Sequence, residues 1–216
     1  MNQPLMMNDA AVFEFFHRLQ QANPHPRSEL IYHTPFELLI AVILSAQATD
    51  KSVNQVTTQL FAYANTPATI LALGQTGLEN AIRTIGLYRN KAKHILVTCE
   101  TLLRHYQGEV PSGQSDLESL AGVGRKTANV VRNIAFGEPT IAVDTHIFRV
   151  SNRTGLAPGK TVQAVETALL KRVPPLFQQH AHHWLILHGR YICRARKPTC
   201  NQCLVTDLCQ FSEKTA

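Results

Sequence analysis

A helix-length segment from Phe36 to about Ala48 is apolar around its whole circumference. Such a helix has to be central, with other elements packed on every face. Thr34-Pro35-Phe36-Glu37 opens it with a threonine N-cap, a proline at the first helical position and a capping-box glutamate. Thr66-Pro67 repeats that start, and Leu78, Ile82 and Ile85 then form an apolar stripe that Gly86 is expected to end. Asn90 is expected to cap a further helix carrying Ile95, Cys99, Leu102 and Tyr106 on one face and stopping at Gly108. Ser115-x-x-Glu118 reads as another capping box, and Val162, Val165, Leu169 and Val173 as one more helical stripe. Strand signals are scarce: Thr140 to Val143 is too short, and no Asn-Gly or Asp-Gly turn occurs. The expected fold class is all-α.

At 216 residues, one or two compact domains are expected. Lys+Arg 21 against Asp+Glu 15 leaves a charge of +6, which favours a polyanionic partner. The longest uninterrupted apolar run, Leu38 to Leu44, is far short of the roughly 20 residues a membrane span needs. Asp9 and Glu14, with no basic segment before them, do not read as a secretory signal. A cytoplasmic, nucleoid-associated protein is expected.

Four of the five cysteines lie between Cys193 and Cys209, a cluster that reads as a metal or iron–sulfur site and not as a disulfide framework. The pattern is Cys193-x6-Cys200-x2-Cys203-x5-Cys209. Both a four-thiolate zinc site and a [4Fe–4S] cluster take four cysteines, so the spacing alone leaves the choice open. Arg194, Arg196 and Lys197 fall between the first two ligands, as a solvated basic loop or as cations pinned toward phosphate. His180, His182, His183 and His188 precede the cluster, but the cysteines already complete a site. Cys99 sits on the apolar face of its helix, as a buried small hydrophobe would.

Leu120-Ala121-Gly122-Val123-Gly124-Arg125-Lys126-Thr127-Ala128 separates a capped turn from a longer helical run, Arg125 to Phe136, closed by Gly137. Gly122 and Gly124 permit a tight turn with close backbone approach, beside a helix N-terminus able to hold an anion. Arg125 adds charge, and Lys126 on residue type alone reads as a phosphate contact. Asp144 stands where an N-cap is needed for a helix from Thr145 to Arg153, with Gly155 after its end.

These motifs resemble the endonuclease III family of DNA glycosylases. The Leu120–Ala128 segment is similar to its helix-hairpin-helix, Val143-Asp144-Thr145-His146-Ile147-Phe148-Arg149-Val150 to the segment that follows, and Leu44-Ser45-Ala46-Gln47-Ala48-Thr49-Asp50 to a stretch near its start. The cysteine spacing matches too, so the likeness runs from about Asn23 to Cys209. Ala121 departs from the family hairpin, which usually has proline there.

The resemblance implies a bifunctional DNA glycosylase/AP lyase that removes oxidised pyrimidines from duplex DNA. Lys126 is then the nucleophile that attacks C1′ and forms a Schiff base, with β-elimination cutting the strand. An ordinary lysine is only about 0.04% neutral at pH 7, so a nucleophilic one has to be desolvated or placed near other cations. Asp144 is then the carboxylate that stabilises positive charge on the sugar. A flipped nucleotide leaves a hole, and the resemblance assigns Gln47 and Leu87 to fill it. Leu87 also reads as a loop residue packing inward. The cysteine set becomes a [4Fe–4S] cluster with a structural role.

The resemblance further implies a six-helix domain at 28–138 with the hairpin, and an iron–sulfur domain from 1–27 with 139–216. The expected partner is double-stranded DNA with damaged bases or abasic sites, bound by a monomer without membrane contact. The rivals are an adenine-mismatch glycosylase, which normally lacks the hairpin lysine, a non-enzymatic iron–sulfur DNA-binding protein, and a zinc-bearing helical module.

Overall fold

The computed structural model describes residues 6–215. Residues 1–5, which begin the expected N-terminal segment, and residue 216 lie outside the described residues. The helices are α1 Asp9–Ala22, α2 Pro35–Ser45, α3 Asp50–Phe61, α4 Pro67–Ala81, α5 Tyr88–His105, α6 Gln114–Ser119, α7 Arg125–Phe136, α8 Thr145–Thr154, α9 Val162–Arg172 and α10 Gln178–Leu187. No strand occurs among the described residues, so the molecule is all-α. No helix among them is long and apolar enough to cross a membrane. The chain divides into a continuous unit, Ser28–Gly137, and a split unit made from Met1–Arg27 and Glu138–Ala216.

The continuous unit holds α2 to α7. Every residue of α2 from Phe36 to Leu44 is buried, and α3, α5 and α7 pack against it. Each fully buried Leu, Ile, Val or Phe there contributes about 1.5–3 kcal/mol. The Thr34 hydroxyl accepts from the Glu37 N–H at 3.1 Å, as an N-cap should. The Glu37 carboxylate accepts from the N–H of His33 at 2.6 Å, one residue outside the expected box. At Thr66 the box is complete, with Thr69 as the reciprocal partner.

Three sequence expectations fail at helix ends. α4 stops at Ala81, and the buried stripe Leu78, Ile82, Ile85 continues through a turn, so its periodicity reports burial beyond the helix. Gly86 has no left-handed backbone and ends nothing. α5 starts at Tyr88 instead of after an Asn90 cap, with Leu87 at the cap position and no side-chain bond. α6 starts behind Gly113, with the Asp116 carboxylate folded back over that glycine, while Glu118 accepts from Gln114 at 2.8 Å inside the helix.

The split unit is built on aromatic packing. Phe16 of α1 meets Phe177, in a short turn before α10, and Trp184 on α10, while Phe15 packs on Phe16 and His188. Trp184 Nε1 donates to Asn23 O at 2.8 Å, and the Met7 N–H to Gly155 O at 2.9 Å, which sews the N-terminal residues to the C-terminal part. Val165 and Leu169 on α9 and Val173 just after it are buried but Val162 is exposed, so that stripe begins a turn late.

Candidate functional site

The hairpin between α6 and α7 stands on the core of the continuous unit. Leu120 and Val123 are buried anchors, and the Thr98 hydroxyl donates to Ala121 O at 2.8 Å, tying the turn to α5. Gly122 has φ +79°, and a Cβ there would press on His94 at 3.1 Å, so any other residue would be strained. Gly124 has ordinary φ and open space where a Cβ would be, so the fold itself does not demand glycine at that position. α7 has no side-chain N-cap, so no cap side chain accepts from its first N–H groups at the positive end of the dipole. Arg125 and Lys126 are the first two residues of that helix, and both are exposed.

The same unit carries Gln47 and Leu87. Four non-glycine residues among those described have left-handed backbone: Gln47 (φ 57°), Leu87 (φ 59°), Gln107 and Lys197. This conformation costs an L-residue roughly 1–2 kcal/mol. Gln107 lies in the turn that closes α5, where the next residue, Gly108, donates to Leu102 O at 2.9 Å. Gln47 and Leu87 are exposed too, Leu87 by 60%, so Leu87 does not pack inward. The buried Lys91 donates from Nζ to Leu44 O at 2.9 Å and Ala46 O at 2.7 Å, beside Gln47. In the sequence Ile85-Gly86-Leu87-Tyr88-x-x-Lys91-Ala92 weakly echoes the hairpin and reads as a second backbone contact or as nothing, while the burial of Lys91 against the end of α2 is not legible there.

Asp144 belongs to the split unit and caps α8. Its Oδ1 accepts from the N–H groups of His146 and Ile147, both at 2.9 Å, while Oδ2 stays outside the cap. The carboxylate is part-buried and fixed by these bonds. Gly189, in the π-turn His188–Ile192 after α10, touches the start of α8 so closely that a Cβ would meet His146 at 2.8 Å. Lys126 and Asp144 therefore sit at the N-terminal ends of different helices, one in each unit.

Two arginines of α8 order the cysteine segment. Arg149 donates to Cys193 O at 2.9 Å and Gly189 O at 2.8 Å. Arg153 donates to Arg194 O at 2.7 Å and Ala195 O at 3.0 Å, and stacks over the Phe211 ring at 4.6 Å. Neither arginine stands out in the sequence, where each reads as part of a polar helix face. Arg194, Arg196 and Lys197 are exposed, and Lys197 is left-handed.

Cys193, Cys200, Cys203 and Cys209 line one cavity with His188 and Phe211. Burial pushes the Cys203 and Cys209 thiols up, and the neighbouring cysteines push in the same direction, a crowding of like charge that a bound cationic centre relieves. Cys203 Sγ also lies 3.8 Å from His188 Nε2, and the Phe211 N–H reaches Cys209 Sγ at 3.5 Å, contacts of the kind that orient thiolate ligands. Four thiols lining one cavity supply the donor set that an iron–sulfur group takes. Cys99 is fully buried away from it, and burial pushes its thiol up to about 12.

Residues 40–175 match the HhH-GPD superfamily of base excision DNA repair proteins. Endonuclease III of Escherichia coli K12 is 60% identical over 208 residues, covering 96% of this chain and 99% of that protein. Endonuclease III of Haemophilus influenzae is 61% identical with the same coverage. The solved structure of a trapped endonuclease III–DNA covalent intermediate superposes with a TM-score of 0.87 at 45% identity, covering 94% of this chain and 96% of that one. The hairpin, the capped aspartate and the ring of thiols thus occur in a chain that belongs to the HhH-GPD superfamily and, within it, to the endonuclease III family of DNA glycosylases with AP lyase activity.

Proposed function

We propose that this chain excises oxidised pyrimidines from duplex DNA and cuts the strand 3′ to the lesion, with Lys126 as nucleophile and Asp144 as its carboxylate partner. One observation carries the reading: in this family, an exposed lysine stands at the second position of an uncapped hairpin helix. That the relative forms a covalent intermediate with DNA supports a protein nucleophile.

In this scheme the Lys126 Nζ–C1′ bond forms as the C1′–base bond breaks, and the base departs with the electron pair and takes up a proton. Opening of the C1′–O4′ bond gives the imine. Loss of a C2′ proton then expels the 3′-phosphate. The uncapped N–H groups of α7, with Arg125, hold a DNA phosphate, while Gly122 and Gly124 let the backbone come close to it. Lys126 is exposed in the protein alone, so the desolvation that a neutral amine needs arrives with the DNA. Asp144 Oδ2, outside the α8 cap, offers its charge to the oxocarbenium-like sugar. Gln47 and Leu87 fill the space of the everted nucleotide.

Cys193, Cys200, Cys203 and Cys209 hold a [4Fe–4S] cluster, which supplies a structural anchor for the loop bearing Arg194, Arg196 and Lys197. Analysis should find about four iron and four acid-labile sulfides per chain, and zinc in their place would overturn the assignment. The protein acts as a monomer on nucleoid DNA.

The test of the reaction is borohydride reduction with duplex DNA carrying thymine glycol, for wild type and Lys126→Ala. Wild type should be trapped covalently and Lys126→Ala should not. An adduct in both would remove Lys126 as nucleophile. No adduct from cluster-loaded wild type, on this duplex or on an abasic control, would remove the lyase chemistry.

A further inference from the structure

Gln47 and Leu87 are exposed and left-handed, and something has to keep them so. Gln47 follows the last carbonyls of α2, and Leu87 precedes the first turn of α5. Lys91 joins those two ends. Its backbone N–H donates to Leu87 O at 3.1 Å, and its ammonium donates to Leu44 O and Ala46 O, the carbonyls just before Gln47. Lysine is among the residues least often buried, yet Lys91 is only 5% exposed.

Burial lowers the pKa of Lys91, a desolvation that methionine in the same space would not incur. Packing alone therefore gives no reason for an ammonium here. Against the final carbonyls of a helix, however, a cation satisfies open acceptors and complements the dipole.

We propose that Lys91 is a positioning residue: by clamping the end of α2 to the first turn of α5, it holds Gln47 and Leu87 as one rigid pair for insertion into the duplex. This rests on the reading in which those two residues occupy the gap left by an everted nucleotide. The left-handed turns are then formed before DNA arrives, so the ordering cost is not charged to binding.

The test uses the full-length, cluster-loaded protein with Lys91→Met, which keeps the stem and loses the charge. Single-turnover cleavage of a thymine-glycol duplex should slow by about tenfold, within the range of coupling between neighbouring groups. Borohydride trapping on a single-stranded abasic oligonucleotide, which has no stack to enter, should keep its wild-type rate. In a Gln47→Ala/Leu87→Ala background the same substitution should cause no further loss. With 2-aminopurine opposite an abasic site, Lys91→Met should give the fluorescence of that double variant.

Equal losses on duplex and single strand would overturn the proposal, because they mean general destabilisation. An unchanged duplex rate, a full further loss in the double variant, or a wild-type fluorescence signal would each overturn it as well. If Lys91→Met does not fold, Lys91→Gln undergoes the same comparison, and the same outcomes support or overturn the proposal. Failure of the underlying reading shows separately, as a Gln47→Ala/Leu87→Ala variant that keeps the wild-type duplex rate and fluorescence.

Discussion

The two units present functional loops in different ways. In the continuous unit, the turns at Gln47, Leu87 and Gly122 stand on a core in which α2 is buried on every face, and they are tied down by Lys91 and Thr98. In the split unit, the segment after α10 is held by arginine hydrogen bonds into the carbonyls of Gly189, Cys193, Arg194 and Ala195, and by thiols around a cavity. A turn backed by a core needs no ligand to stay in place. A loop without one takes its order from directional charged bonds and from whatever the thiols bind.

Removing single groups can break this comparison. The largest effect is expected at Asp144, the carboxylate proposed to act in the split unit. Asp144→Asn keeps an oxygen to cap α8 and loses the charge, so single-turnover base removal should fall by about 10²–10³-fold with little loss of stability. A near-normal rate would leave Asp144 as a cap alone. Next is Leu39→Ala in α2, which should cost about 2–5 kcal/mol in denaturant titration and lower the melting temperature, with the cluster retained until unfolding. Arg153→Ala should cost about 1–3 kcal/mol and act the other way round, with faster loss of cluster absorbance and weaker duplex binding while helical circular dichroism persists. If Arg153→Ala instead lowered the melting temperature without touching the cluster, the contrast between the units would fail.

The smallest effect concerns His183 on α10. Burial, with a contribution from His180, lowers its pKa from 6.5 to about 4. Between those values the unfolded chain takes up a proton that the folded one refuses, so stability should fall as pH drops from 6.5 to about 4 and level off below. His183→Phe should flatten part of that slope in urea titrations, and an unchanged slope would place the titration elsewhere.

What is legible in the sequence follows from how local each signal is. The Thr34 and Thr66 caps, the Asp144 cap and the glycines closing α7 and α8 each depend on a few neighbouring residues, and each stands where expected. The start of α5 does not fall at Asn90 because its true start, behind a left-handed Leu87, accompanies a bond from Lys91 to carbonyls far away in the chain. Arg149 and Arg153 leave no mark in the sequence for the same reason: their acceptors lie about 40 residues further on. The four cysteines are legible because their spacing is short, while the His188 and Phe211 that line the cavity with them are not.

The sewing of the split unit from both ends has a consequence during synthesis. Phe16 leaves the ribosome some 160 residues before Phe177 and Trp184, against which it packs. At about 5–20 residues per second, α1 therefore waits roughly 8–32 s with its aromatic face bare, while the continuous unit emerges and closes on its own core. For that interval the nascent chain offers a helix with an uncovered greasy side. Whatever shields α1 has to do so until Phe177 and Trp184 have been made.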